Sequence, residues 1–361
     1  MQKLIQVALM VCVLTGLTVA QSSSNSNSKP IAKKPTAQPA VTKTAVSTIS
    51  PVSSELLNLL PASDLLAVVD ANRLFNELLP SLAGMQAGGL DKLAKELTEF
   101  TQKTGIDPTK INGAVLGLNL NGLQATGAII VSGVDLNGQQ IESAMKEFKA
   151  EFKASDYKGK TIYSLISKVK APEAGPLSVN TDQMALAALG GQKFVFGDLS
   201  AIKSVIDAST GAAKGGVTPE MMSVLNETKA SALLRFALSI PEPLKAEAAD
   251  QGDLFKSVST IKVILGALDV ASDLSLSLDA LMRTPSQKEA TELEDGLKGL
   301  VGLVKGIFGG SSGDPKTDAI GQLVDQIKIS SKLNDVSLSI ALPRATLDQL
   351  LKKPAPAEKK P

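Results

Sequence analysis

The chain has 361 residues with 37 basic and 36 acidic side chains, one cysteine, and neither histidine nor tryptophan. Without histidine the usual general base near neutral pH and the commonest metal ligand are both missing, which excludes a Ser-His-Asp triad, a histidine zinc site and a cysteine–histidine pair. Aromatic residues make up only 3 % of the chain and there are four arginines, so nucleic-acid readout and aromatic sugar platforms are both disfavoured.

Met1-Gln2-Lys3 and the apolar stretch from Leu4 to Ala20 match the basic start and apolar centre of a secretory signal peptide, and Thr18-Val19-Ala20 supplies the small residues a signal peptidase reads. Residues 1–20 are therefore expected to be removed between Ala20 and Gln21, with export to a periplasmic, cell-surface or extracellular location. Cys12 lies inside the apolar centre, and Leu9-Met10-Val11 lacks the small residue that lipoprotein processing requires. The mature chain then keeps no thiol for a disulfide, a nucleophile or a metal. No later apolar run reaches spanning length free of charge, so no transmembrane span is expected in it.

Residues 21–54 and 352–361 are built of Ser, Asn, Lys, Pro, Ala and Thr, too poor in large apolar side chains to offset chain entropy, and read as disordered tails. The tails are basic, whereas residues 55–351 carry 28 basic and 35 acidic side chains. Solvated linkers account for this asymmetry, and so does an affinity of the tails for anionic envelope polymers or lipid head groups.

In the first half of the body a strand, Leu65–Asp70, leads into amphipathic helices near Asn72–Leu82 and Leu90–Thr104. Strands Ala114–Leu120 and Ala125–Ser132 are joined by Asn121-Gly122, a pair that favours hairpins. Asp135-Leu136-Asn137-Gly138 has the look of a calcium-loop start but lacks the later acids of an EF-hand. It reads as an Asx turn before a helix with apolar positions Ile141, Ala144, Met145, Phe148 and Phe152. Strands Thr161–Ile166, Met184–Leu189 and Lys193–Phe196 then precede a helix, Ala201–Ala208, that Asp198 or Ser200 can cap.

The second half repeats the order. Strand Ala232–Ser239 is followed by a Pro-interrupted helical stretch to Val258 and strands Lys262–Val270 and Leu274–Leu281. A long helix is expected from Thr284, with Pro285 at its first position and Gln287 completing a capping box. Its apolar stripe is Ala290, Leu293, Leu297, Leu300, Val301, Val304, Ile307 and Phe308, ended by Gly309-Gly310. A helix Ala319–Gln326, a hairpin around Asn334-Asp335 and a helix Thr346–Leu351 close the body.

Leu274, Leu276, Leu278 and Ala280 alternate with polar residues, as do Val336, Leu338, Ile340 and Leu342, which favours antiparallel strands with one dry face. The expected fold is α+β: two similar halves, 55–213 and 214–351, each a mainly antiparallel sheet with helices on one face, flanked by the disordered tails.

Ser-x-x-Lys pairs such as Ser143/Lys146, Ser200/Lys203 and Ser259/Lys262 raise the question of a serine–lysine enzyme. Lys103-Thr104-Gly105, however, precedes all of these serines and closes a helix, where the β-lactamase pattern wants a later strand. Neither a Gly-x-Gly-x-x-Gly after a strand nor a Gly-x-x-x-x-Gly-Lys-Ser/Thr loop is present, so no nucleotide cofactor is implied. No catalytic, cofactor or metal residues are assigned.

Leu60-Pro61-Ala62-Ser63-Asp64-Leu65-Leu66-Ala67-Val68-Val69-Asp70 resembles the opening of a group of exported bacterial proteins of unknown function built from repeated hairpin–helix units, and Gly190-Gly191-Gln192-Lys193-Phe194-Val195-Phe196-Gly197-Asp198 is similar to a later segment of theirs. The resemblance implies an envelope or secreted protein and carries no catalytic residues. The leading expectation is a non-enzymatic binding or structural protein with an envelope component or another protein as partner. The rivals are a carrier of an apolar ligand and an enzyme of unrecognised type. For the carrier, Leu293, Leu297, Leu300 and Val304 on the long helix would form a lid.

Overall fold

The computed structural model describes residues 51–83, 90–122, 124–147, 150–166, 178–179, 183–249, 257–308 and 315–351. Ala20, Gln21 and the tails outside residues 51–54 thus lie beyond the described residues.

The chain opens with helix α1, Pro51–Leu57. It begins inside the stretch read as a tether, because Leu56, Leu57 and Leu60 are all buried against the sheet. Strand β1 (Leu65–Val69) follows, then α2 (Ala71–Arg73), a π segment (Leu74–Leu78), α3 (Leu79–Ala83) and α4 (Leu90–Thr104). Asp70 starts this helical run by accepting the Arg73 N–H through its carboxylate at 3.0 Å. A 3-10 turn at Pro108–Lys110 leads into the hairpin β2 (Gly113–Asn121) and β3 (Gln124–Ser132), which closes on Asn121↔Gln124 as the Asn-Gly pair suggested.

Helix α5 (Gly138–Glu147) begins with a reciprocal cap. The Gln140 N–H donates to Asn137 Oδ1 at 2.9 Å, and the Asn137 N–H donates to Gln140 Oε1 at 3.1 Å. Asn137 therefore caps a helix, as the Asx-turn reading expected. The same helix ends before Phe152, which starts a strand instead: β4 (Phe152–Tyr157) forms a hairpin with β5 (Lys160–Leu165). The periodic spacing followed as far as Phe152 thus overran the helix, while Phe148 lies outside the described residues. Lys158-Gly159 makes the tight turn, with Lys158 at φ 51° and Gly159 at φ 72°.

After β6 (Ser178–Val179) come β7 (Met184–Gly190), β8 (Lys193–Asp198) and α6 (Leu199–Ser209), whose Ala201 N–H is capped by the Asp198 carboxylate. The second half contains α7 (Pro219–Asn226), β9 (Leu234–Ser239), α8 (Glu242–Ala249), β10 (Val263–Val270) and β11 (Leu276–Arg283). It ends with α9 (Gln287–Phe308), α10 (Pro315–Asp325), β12 (Lys328–Lys332), β13 (Asp335–Leu342) and α11 (Arg344–Leu351). Helix α9 starts two residues later than expected. Thr284 is buried and turns its hydroxyl to Ser286 O and Asn334 O, both at 2.9 Å, which leaves Ser286 to pair with Glu289 at the helix start.

The fold is α+β, and its strands are antiparallel except for the short β6, which runs parallel to β3. The strands of the two halves join in one sheet. At the seam β1 pairs with β2 on one side (Val69↔Ala114) and with β9 on the other (Val69↔Leu234). Outward from the seam the order is β1-β2-β3-β8-β7 in one direction and β9-β10-β11-β13-β12 in the other, and among the described residues only the first side continues, with β5-β4.

Helices cover both faces rather than one. On one face α1, α6 and α7 close a core with Leu66, Val68, Val115, Ile130 and Val195. Gly117 lies beneath the turn that follows α1, where an added Cβ would come within 2.5 Å of Ser63 Oγ and 3.1 Å of Leu60. On the opposite face α4 and α5 pack over β5, β7 and β8 through Phe100, Ile141 and Tyr163, while α9 packs over β11 and β13 through Ala290 and Leu293. Strands buried on both sides explain why β7 reads as an almost unbroken apolar run, Met-Ala-Leu-Ala-Ala-Leu.

Candidate functional site

Between the two helical covers of that second face lies the apolar centre of the sheet. Ala67 and Val69 of β1, Leu116 of β2, Leu234 of β9 and Leu268 of β10 are buried there, and the partly buried Phe236, Leu276 and Leu278 pack against them. No described helix contributes a side chain to this cluster.

The four residues expected to form a lid divide along α9. Leu293 is 1 % exposed and belongs to the core that joins the helix to Met282 and Val336; Leu297 packs on the rim of that core. One turn later the stripe leaves the core: Leu300 is 39 % and Leu303 53 % exposed, and Val304 is half-buried. Gly299, Gly302 and Gly306 have open space where a side chain would stand. The distal half is tied to α10 by an ion pair between Lys305 and Asp325 at 2.8 Å.

A groove of about 490 Å³ lies where the π segment, α3, α4 and the 3-10 turn meet. Phe75, Leu79, Pro80, Leu97 and Pro108 form its apolar wall, and Thr98, Thr101, Gln102, Asp107 and Thr109 complete the lining. The groove was not legible from sequence, because its apolar residues read as the ordinary inner faces of two amphipathic helices. Asp107 is half-buried at its margin. The Asp107 Oδ1 atom accepts the Thr109 hydroxyl at 2.6 Å and the Thr109 N–H at 3.0 Å, and these bonds hold the carboxyl below its ordinary range.

The principal polar clusters of the body are bound into structural pairs. Asp269 accepts Arg73 Nη1 at 2.5 Å and Lys229 Nζ at 2.6 Å, while Arg73 also donates to Ser231 O and Val270 O. Burial works against the charge of Asp269, but the bonds from Lys229 and Arg73 prevail and lower its pKa. Arg283 is held by Asp335 and Glu227, each at 2.9 Å, which raises its pKa. Arg235, 2 % exposed, donates to Leu225 O and Thr228 Oγ1, both at 2.8 Å, and so closes the C-terminal end of α7, where the helix dipole is negative. Burial lowers its pKa. The Tyr157 hydroxyl and Lys158 both meet Asp207, with Lys158 and Lys203 standing 5.6 and 5.4 Å from the Tyr157 ring centroid. Among the described residues no three acidic or thiol side chains converge as a metal ligand set, and no helix is long and apolar enough to cross a membrane.

No family model matches the chain, and no curated protein matches it. Among solved structures, two crystal forms of TP0453 align with TM-scores of 0.45 and 0.44 at 7 % identity, covering 82 % of this chain and 96 % of that one. A third crystal form aligns at 0.39.

Proposed function

We propose that the chain is an exported, non-enzymatic binding or structural protein of the cell envelope, built from a duplicated unit spanning roughly 55–213 and 214–351. The observation that carries the reading is the use of the polar side chains. Asp207, Arg235, Asp269, Arg283 and Glu294 serve ion pairs, helix ends or strand contacts, and in a chain without histidine little general acid–base chemistry is left to them. The signal-peptide pattern at residues 1–20 and the resemblance to exported hairpin–helix proteins support the location. The shared strand order on either side of the seam supports the duplication.

The test is to recover the chain from a fractionated culture of its own host, determine its N-terminus and measure its native mass. A chain starting at Gln21 in the envelope or medium is expected, and a chain starting at Met1 in the cytoplasm would refute the reading. A second reading, the carrier of an apolar ligand, is favoured by the groove beside Phe75 and by the exposed Leu300 and Leu303 of α9. Its signature would be an apolar adduct released from the native mass on denaturation.

A further inference from the structure

We propose that the groove between the π segment, α3 and α4 binds a single-chain amphiphile with a cationic head, the hydrocarbon chain lying on Phe75, Leu79, Pro80 and Leu97 and the head resting at Asp107. The proposal builds on the binding-protein reading and gives it a site and a ligand class. The chemistry of the wall selects the chain. The Thr101 hydroxyl is turned back onto Leu97 O at 3.0 Å, the Thr109 hydroxyl and N–H are taken by Asp107, and the Thr109 carbonyl accepts the Asn76 side-chain amide at 2.9 Å. A sugar or nucleotide would therefore find much of the lining's hydrogen-bonding capacity already in use, whereas methylenes lose nothing by entering. The volume lies within the range of small-molecule sites, about 300–1,000 Å³.

Asp107 selects the head. Both of its bonds to Thr109 fall on Oδ1, and Oδ2 accepts none among the described residues, so one oxygen of a charged carboxylate is left at the margin of an apolar groove. An anionic head of the same chain length would meet that charge with the wrong sign. Lys110 stands near enough to Asp107 to favour its charged form, which keeps the preference to contact range.

The experiment titrates the purified chain, below the micelle concentration, with alkyltrimethylammonium probes from octyl to tetradecyl and with alkanoates of matched length. Affinity is expected to rise by up to about fourfold per added methylene until the groove is full. The ammonium should lead the alkanoate by about fivefold at low salt, with the gap narrowing as salt is added. Asp107→Asn keeps a capping side chain and should abolish the head preference while leaving the chain-length series intact. Thr101→Phe, which fills the groove from the outer turn of α4, should abolish the series. Absence of saturable binding, a head preference that survives Asp107→Asn, or a series unaffected by Thr101→Phe would each overturn the proposal. None of these results bears on the N-terminus or location of the chain, so the parent reading fails or survives separately.

Discussion

Replacing Asp269 by alanine is expected to destabilise the protein by about 2–3 kcal/mol. Its side chain is 11 % exposed and bonds Arg73 of α2 and Lys229 of the loop before β9. Breaking a buried pair by removing one partner costs about 3–5 kcal/mol when the partner's charge stays buried. Here the side chains of Arg73 and Lys229 are 21 % and 55 % exposed, so both can recover water and the cost falls below that range. Urea unfolding followed by far-UV circular dichroism measures it, and Arg73→Ala with the double variant closes a thermodynamic cycle whose coupling is expected at about 1–2 kcal/mol. The carboxyl's pKa is lowered in the folded state, so its contribution is fully present above its ordinary value of 3.8 and is lost as the pH falls through the folded value. The wild-type advantage over Asp269→Asn should accordingly vanish in acid. A loss under about 0.5 kcal/mol at neutral pH, or one unchanged in acid, would show that the cluster is a surface decoration.

Other perturbations test the rest of the fold. Leu293→Ala should cost about 3 kcal/mol in thermal or urea unfolding, whereas Leu303→Ser should change stability by less than about 0.5 kcal/mol, since one lies in the core and the other is 53 % exposed. Gly127→Ala would place a Cβ 2.0 Å from the Gly117 carbonyl oxygen in the middle of the β2–β3 pair, and a loss of about 3 kcal/mol or failure to fold is expected on expression and unfolding assays. Glu294 of α9 accepts the Ser331 N–H at 3.0 Å, which covers a donor on the edge strand β12. Glu294→Ala should therefore raise self-association in light scattering. Lys298 and Ser331 lower the Glu294 pKa, so in the wild type the protection should hold above the ordinary value of 4.5 and fail as the pH falls through the folded value.

Much of the architecture was legible because its signals are local. The Asn121-Gly122 turn, the Asp198 cap and the alternation in β11 and β13 each act over a few residues, and the expected strands lie close to where those signals put them, although β11 starts at Leu276 because Leu274 belongs to the turn before it, at φ 65°. What escaped depends on distant partners. The pairing of β1 with β9 joins residues about 170 positions apart, and nothing in Leu65–Val69 names Leu234–Ser239 as its neighbour rather than an open edge. Covering helices on both faces followed from the same cause, since a shared sheet exposes two faces to both halves. The groove was illegible for another reason: Phe75 and Leu97 carry the spacing of core positions, and only the angle at which their helices meet leaves room between them. Along α9 the stripe is periodic as expected, but periodicity does not say how far the core beneath it extends, and Leu300, 39 % exposed, lies past it.

The seam at β1 and β9 also limits how the molecule can open. Strand β1 is paired along all five of its residues with a strand on each side, and Arg73 and Lys229 grip Asp269 across the same junction. Parting the two halves like a clamshell would break a whole row of backbone hydrogen bonds, whereas displacing a surface helix breaks side-chain contacts only. For the amphiphile proposed above, admission then becomes a matter of local helix breathing, and its rate would respond to substitutions on α3 or α4 while remaining indifferent to the stiffness of the sheet.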